Sequence, residues 1–139
     1  AAKEKLSLDT GALTPWQVNA LLKALPVDVT FVDETDTVRY YSDTAERVFT
    51  RTPAIIGRKV QQCHPPSSVH RVQEIIDQFR AGTRDLAEFW IQMEDMFVHI
   101  TYHALRDEQG EYRGVIEVTQ NVAHVRQLKG EKRLLDEEE

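Results

Sequence analysis

The sequence predicts an α+β fold in which helices interrupt an antiparallel sheet and close over one of its faces. Two observations predict it. Along the 139 residues the patterns run as two short strands (27–42), a helix-rich interlude (45–82), a three-strand meander (86–121) and a charged helical tail. Apolar residues alternate within the strand segments but recur at helical spacing inside the interlude, so the element types can be told apart.

An N-terminal cap helix is predicted over 13–25. Thr14 caps it, Pro15 suits its first position, and Gln17 can complete a capping box. Its stripe Val18, Leu21, Leu22 and Leu25 needs cover, and Pro26 stops it. Val27–Asp33 alternates as a strand, and the polar Glu34–Thr37 segment turns into a second strand, Val38–Ser42. From Ala45 to Gly57 the chain reads as short helical turns broken by Pro53 and Gly57. A longer helix over 67–81 follows Pro65-Pro66, capped by Ser67 or Ser68 and ended by Gly82. Val69, Val72, Ile75, Ile76 and Phe79 share one face of it, which is expected to lie on the sheet.

The last strands are Leu86–Met93, Met96–Arg106 and Arg113–Asn121. A two-residue turn at Glu94-Asp95 pairs Met93 with Met96, Ile91 with Val98, Phe89 with Ile100 and Ala87 with Tyr102. One face of that hairpin is then apolar. The other carries Trp90, Phe97, His99, His103 and Leu105, a mixed surface of the kind a capping helix or a second subunit covers. Val125, Leu128 and Leu135 approximate heptad positions in the tail, interrupted by Gly130, and the alternative is a frayed charged end at Glu137-Glu138-Glu139.

Bulk properties narrow the function classes. The length holds one domain and leaves no room for a second, catalytic one. A hydrophobic content of 41% is globular, and a net charge of -6 supplies no basic surface for nucleic acid or anionic lipid. Uninterrupted apolar runs reach three residues, far short of the ~20 that span a bilayer. No signal peptide is visible, and a single cysteine, Cys63, cannot form an internal disulfide, which fits a reducing cytoplasm. The chain starts at Ala1 and is expected to be a piece of a longer protein.

Taken as a set, Phe31-Val32-Asp33, Arg39-Tyr40-Tyr41-Ser42, Ile56-Gly57-Arg58-Lys59-Val60, Cys63-His64-Pro65-Pro66, Glu88-Phe89-Trp90-Ile91-Gln92 and Gly130-Glu131-Lys132-Arg133-Leu134-Leu135 are specific. Together with Phe79-Arg80-Ala81-Gly82 and Asp107-Glu108-Gln109-Gly110, they make nearly the whole chain resemble a PAS domain. The resemblance is to the type found C-terminal to a hemerythrin-like domain in prokaryotic proteins. It implies a PAS fold: a five-stranded antiparallel sheet with helices over one face, a ligand or cofactor cavity between them, and flanking N- and C-terminal helices that dimerise. One departure is Asn121-Val122-Ala123, where Asp-Ile-Thr often closes a PAS core. The expected organisation is an N-terminal extension (1–12), the PAS domain with its cap helix (13–121), and a C-terminal linker or signalling helix (122–139).

Cys63-His64 is the densest cluster of chemically active side chains. Both residues are transition-metal and haem ligands, while the bland alternative is an ordinary helix entry beside a small cysteine. No orienting group for a Cys–His hydrolytic pair is apparent, so an enzyme is not expected. His70 projects opposite the apolar stripe, towards solvent. His99 and His103 lie roughly 13 Å apart along one strand and cannot chelate one metal by themselves. Val72, Ile76, Phe79, Phe89, Ile91, Val98, Ile100 and Tyr102 form either a filled core or a ligand-binding wall, since both use the same side chains. Trp16, Leu21, Leu25, Trp90, Phe97, His99, Leu128 and Leu135 are the candidate dimer or helix-cap surface.

The reading is a cytoplasmic, non-enzymatic sensory domain, homodimeric, binding a small molecule or cofactor of unknown identity. The alternatives are a haem- or iron-binding redox or gas sensor using Cys63 or His64 and a constitutive dimerisation module with a filled core.

Overall fold

The computed structural model describes residues 4–137; the ends of the predicted extension and tail, 1–3 and 138–139, lie outside the described residues. A five-stranded antiparallel sheet in the order β4-β3-β7-β6-β5 forms the body. Its strands are β3 (Asp28–Asp33), β4 (Val38–Tyr41), β5 (Leu86–Met93), β6 (Met96–Arg106) and β7 (Tyr112–Asn121). The β5–β6 register is the one set by a two-residue turn, with Met93 opposite Met96 and Phe89 opposite Ile100. Glu94 adopts φ 53° to close that turn, the left-handed conformation such turns require.

Within the predicted extension, Leu6–Leu8 (β1) and Gly11–Leu13 (β2) pair as a separate hairpin. Three-residue strands give no periodicity to read, which is why the sequence offered no sign of them. Helix α1 (Pro15–Ala24) begins with the expected capping box, in which Thr14 accepts from the Gln17 N–H and the Gln17 side chain accepts from the Thr14 N–H.

Helix α2 spans Pro66–Ala81, one residue longer at its start than expected, and no serine caps it. Pro66 takes the first helical position, where its fixed φ suits the helix, and the Ser68 hydroxyl donates to the Pro65 carbonyl instead. Gly82, at φ 79°, ends the helix in the left-handed conformation. The segment before α2 holds only two 3₁₀ turns, Pro53–Ile55 and Val60–Cys63.

Of the short helical turns expected over Ala45–Gly57, Pro53–Ile55 forms, whereas residues 44–50 form none, because their polar groups serve the sheet. Thr44 Oγ1 donates to Asp28 at 2.6 Å and the Val48 N–H to the other Asp28 oxygen at 2.8 Å. Arg47 donates to the carbonyls of Ser42 and Phe49.

The core gathers Val32, Val38, Phe79, Ala87, Tyr112 and Val115, where α2 crosses the sheet. After β7, α3 covers only Ala123–Gln127; Leu128 is extended and a 3₁₀ turn follows at Leu134–Asp136. The chain therefore carries a short helix and a charged arm instead of one continuous C-terminal helix. With five helical residues and no buried partner, propagation cannot offset the nucleation cost.

Two measurements check this frame. Gly114 sits at φ +135°, where an added Cβ would clash with the Val32 carbonyl oxygen. Gly114→Ala is therefore expected to cost at least about 3 kcal/mol in denaturant unfolding, against about 1 kcal/mol for Gly82→Ala, whose surroundings are open. Burial works to raise the Asp33 pKa, but hydrogen bonds from Thr35, Arg39 and Thr37 outweigh it and hold the carboxyl well below the usual range. Its folded pKa is thus depressed, so its contribution is complete above the unfolded value of about 3.9 and fades as pH falls towards the folded one. Asp33→Asn should flatten the acid limb of a stability–pH curve.

Candidate functional site: a cavity between α2 and the sheet

A cavity of about 220 Å³ lies between α2 and the inner face of the sheet. Ser68, Arg71, Val72, Ile75, Ile76 and Phe79 of α2 form its roof. Thr30, Val32, Val38, Phe89, Tyr102, Val115 and Glu117 form its floor, and Arg51, Ile55, Val60, Cys63 and His64 close its sides. The size exceeds the ~150 Å³ that accommodates benzene and falls short of the ~300 Å³ at which drug-sized pockets begin.

Of the residues read from sequence as a ligand wall, Val72, Ile76, Phe79, Phe89 and Tyr102 line the cavity, whereas Ile91, Val98 and Ile100 do not. They share the inner face with Phe89 and Tyr102, but the register places them towards the β5–β6 turn, the end of the sheet away from Val115 and Ala104. The Phe89 ring meets Tyr102 edge-on, with centroids 6.0 Å apart.

The polar end of the cavity is built by register. Tyr102 of β6 and Thr30 of β3 both stand opposite Glu117 of β7, so all three point to the same face. The Tyr102 hydroxyl donates to Glu117 Oε2 at 2.9 Å, and Arg51 Nη2 approaches Glu117 Oε1 at 3.5 Å. Burial, reinforced by the Glu117 charge and hydrogen bond, pushes the Tyr102 pKa far above the ordinary tyrosine value. Burial also lowers the His64 pKa, with Arg51 adding to the effect and Glu117 opposing it, which favours the neutral imidazole.

Glu117 and Arg51 were not singled out from sequence. In Val115-Ile116-Glu117-Val118 alternation favours Ile116 and Val118 as the buried pair, and only the β6–β7 register reveals that Glu117 faces inward. Pairing it opposite Tyr102 was the signal that could have found it.

Cys63 is an exposed thiol whose Sγ lies 3.8 Å from the Lys59 carbonyl, at the cavity edge beside His64. Among the described residues no three metal-ligating side chains gather. His70 is exposed on α2 and His124 on α3. His99 is held by Glu88 at 2.6 Å across β5–β6, and His103 lies 2.9 Å from Thr101.

The candidate interface residues are spread over three elements. Trp16 and Leu21 project from α1 and Leu25 follows its end, Trp90, Phe97 and His99 lie on the outer sheet face, and Leu128 and Leu135 sit in the C-terminal segment. Trp16 is 75% exposed and Leu135 98% exposed, so neither is covered within one chain. Arg126 stacks 3.7 Å over the Phe97 ring, and the Val122 N–H donates to the Phe97 carbonyl. Those two contacts fasten the start of α3 to the sheet.

The profile of the PAS domain family matches residues 18–123. The chain belongs to the PAS domain family. A C-terminal domain from Streptococcus mutans is 35% identical to it, superposes with a TM-score of 0.87, and is matched over 93% of this chain and all 100% of that one. Two further structures share the fold alone. A sensory box sensor histidine kinase from Vibrio cholerae has a TM-score of 0.54 at 14% identity, over 76% of this chain and 88% of that one. A PAS domain from Colwellia psychrerythraea has 0.56 at 13%, over 78% and 97%. No curated protein matches the sequence significantly. PAS domains are typical of sensory and signalling proteins. No helix among the described residues is long and apolar enough to cross a membrane.

Alkaline titration probes the cavity floor. Burial raises the pKa of Tyr40 and Tyr112, the latter to about 12, and that of Tyr102 further still. The unfolded chain loses these protons first, near pH ~10, so stability should fall as pH rises above that value. In an ultraviolet titration Tyr102→Phe should delete the last-ionising tyrosine, and an unchanged final step would contradict the Tyr102–Glu117 pairing.

Proposed function

We propose that this PAS domain is a sensory module that binds a small molecule between α2 and the sheet and reports occupancy through its flanking segments in a homodimer. One observation carries the proposal: the cavity is largely apolar but ends in the Tyr102–Glu117–Arg51 group, a combination that buries a ligand body and orients its polar end.

Occupancy acts on the less tethered half of α2. The hydrogen bonds that tie α2 to other elements begin at Gln73: Gln61 donates to Gln73, Arg84 to Gln78, Arg80 to Asp36, and Arg106 to the Phe79 carbonyl. Among the described residues the first two turns make none. A ligand under Ser68, Arg71 and Val72 shifts that half and thereby the equilibrium between two packings of the domain. The exposed apolar residues of α1 and the C-terminal arm support readout through pairing of two copies. Similarity to PAS modules that follow a hemerythrin-like domain, and to a domain described as C-terminal, supports a place within a longer protein.

A haem or iron centre at Cys63 or His64 has less support. The cavity lies below the drug-sized range to which a porphyrin belongs, and no third ligand stands near the pair among the described residues. A filled-core dimerisation module has less support still, because it needs no void.

Xenon tests the cavity directly, since dry apolar voids take it up. Under xenon pressure the methyl resonances of Val72, Ile75 and Ile76 should shift saturably, and Val72→Trp should abolish the response. Saturable shifts without any change in hydrogen exchange of α1, α3 or residues 66–72 would remove the signalling role while leaving the cavity.

A further inference from the structure

Building on the ligand-binding role proposed for this cavity, we propose that its ligand is a small monocarboxylate with an apolar body, an arenecarboxylate or short alkanoate, whose carboxylate is received by Arg51 and Arg71.

The charge of the lining is the first argument. In a chain of net charge -6, the cavity wall holds two guanidiniums, Arg51 and Arg71, against one carboxylate, Glu117. The remaining titratable groups facing it are Cys63, Tyr102 and His64, and Tyr102 and His64 are both held towards their neutral forms by burial. Arg71 also meets Glu74 at 3.3 Å on the exposed side of α2, a solvated pair that contributes little; of the charged groups lining the cavity itself two are positive and one negative, and one carboxylate balances them. A dianion would leave a charge uncompensated among apolar side chains.

The state of Arg51 is the second. Arginines that brace this fold hold their carboxylates tightly: Arg39, Arg80, Arg106 and Arg113 do so at 2.7, 2.8, 2.9 and 2.8 Å. Arg51 reaches Glu117 only at 3.5 Å and otherwise donates to its neighbour's carbonyl, that of Thr50, at 3.3 Å. Its Nε donates to no acceptor among the described residues, so the guanidinium edge keeps donors for a planar acceptor. Glu117, by contrast, already receives Tyr102 on one oxygen and Arg51 on the other. The cavity thus offers spare donors more readily than spare acceptors, which disfavours an amine.

Size and entry complete the match. About 220 Å³ holds a ring or a short chain. Arg71, on the roof, has a side chain 74% exposed, and Phe89 is 44% exposed, so both lie where a ligand would enter.

The 139-residue protein is titrated calorimetrically with benzoate, hexanoate, benzyl alcohol and benzylamine, with xenon uptake measured alongside. A carboxylate should bind at least about tenfold more tightly than benzyl alcohol, the factor carried by one charge-assisted hydrogen bond. Arg51→Gln should remove most of that preference while changing benzyl alcohol affinity by less than about twofold. Should Arg51→Gln fail to fold, Arg71→Gln at the exposed rim should still narrow the preference several-fold. Equal binding of benzyl alcohol, tighter binding of benzylamine, or xenon uptake without any carboxylate binding overturns the carboxylate assignment and leaves the cavity reading standing. Loss of xenon uptake as well removes both.

Discussion

The fixing of the C-terminal half of α2 to the sheet is the constraint on which the rest of the structure depends. Phe79 is fully buried beneath that half, and burying such a ring contributes about 3 kcal/mol. The Arg106 guanidinium clasps the Phe79 carbonyl at 2.7 Å, while Arg80 reaches Asp36 at 2.8 Å and covers the Tyr112 ring. Asp36 also accepts from Gln61, which donates in addition to Gln73. One end of the helix is thus locked to two sheet strands and to the loop before it. The other end bridges the sheet without hydrogen bonds to it, and the void runs from beneath that span to Phe79.

A second consequence concerns the inner face of the sheet. β5 and β6 present Phe89, Ile91, Val98 and Ile100 there, but β3 and β7 present Asp28, Thr30, Glu117 and Thr119. Buried polar groups require partners, and the irregular segment from Ser42 to Arg51 supplies them to Asp28, Thr30 and Glu117 through Thr44, Arg47, Val48 and Arg51. A regular helix in this segment would have used the Val48 N–H internally, leaving Asp28 short of a donor. The loop's irregularity and the polar end of the cavity are therefore one feature seen from two sides.

The flanks behave differently from the core. α1 has no buried residue, and β1–β2 and the C-terminal arm leave Leu6, Leu8, Leu128 and Leu134 at least half exposed. So many uncovered apolar side chains at the edges of a small domain are typical of surfaces that meet another chain. Their sparse burial also fits the signalling role proposed above, because elements with few buried apolar contacts respond most readily to small shifts in a packed neighbour.

The sequence by itself determined most of the architecture. The capping box at Thr14-Pro15-Trp16-Gln17, the glycine stop at Gly82, the Glu94-Asp95 turn and the β5–β6 pairing are local or nearest-neighbour features, fixed by backbone conformation and side-chain reach within a few residues. The apolar half of the cavity followed from the same logic, since Val72, Ile76 and Phe79 share a helix face and Phe89 and Tyr102 a strand face. Tertiary structure alone decided the rest. That Glu117 faces inward depends on the register between β6 and β7, across a loop whose length does not announce it; that Arg51 meets Glu117 depends on a contact spanning 66 residues. Whether Val72 and Ile76 line a void or fill one depends on how far the fixed end of α2 holds its other end from the sheet. That spacing is set by Phe79, Arg80 and Arg106 together, and no single segment of sequence encodes it.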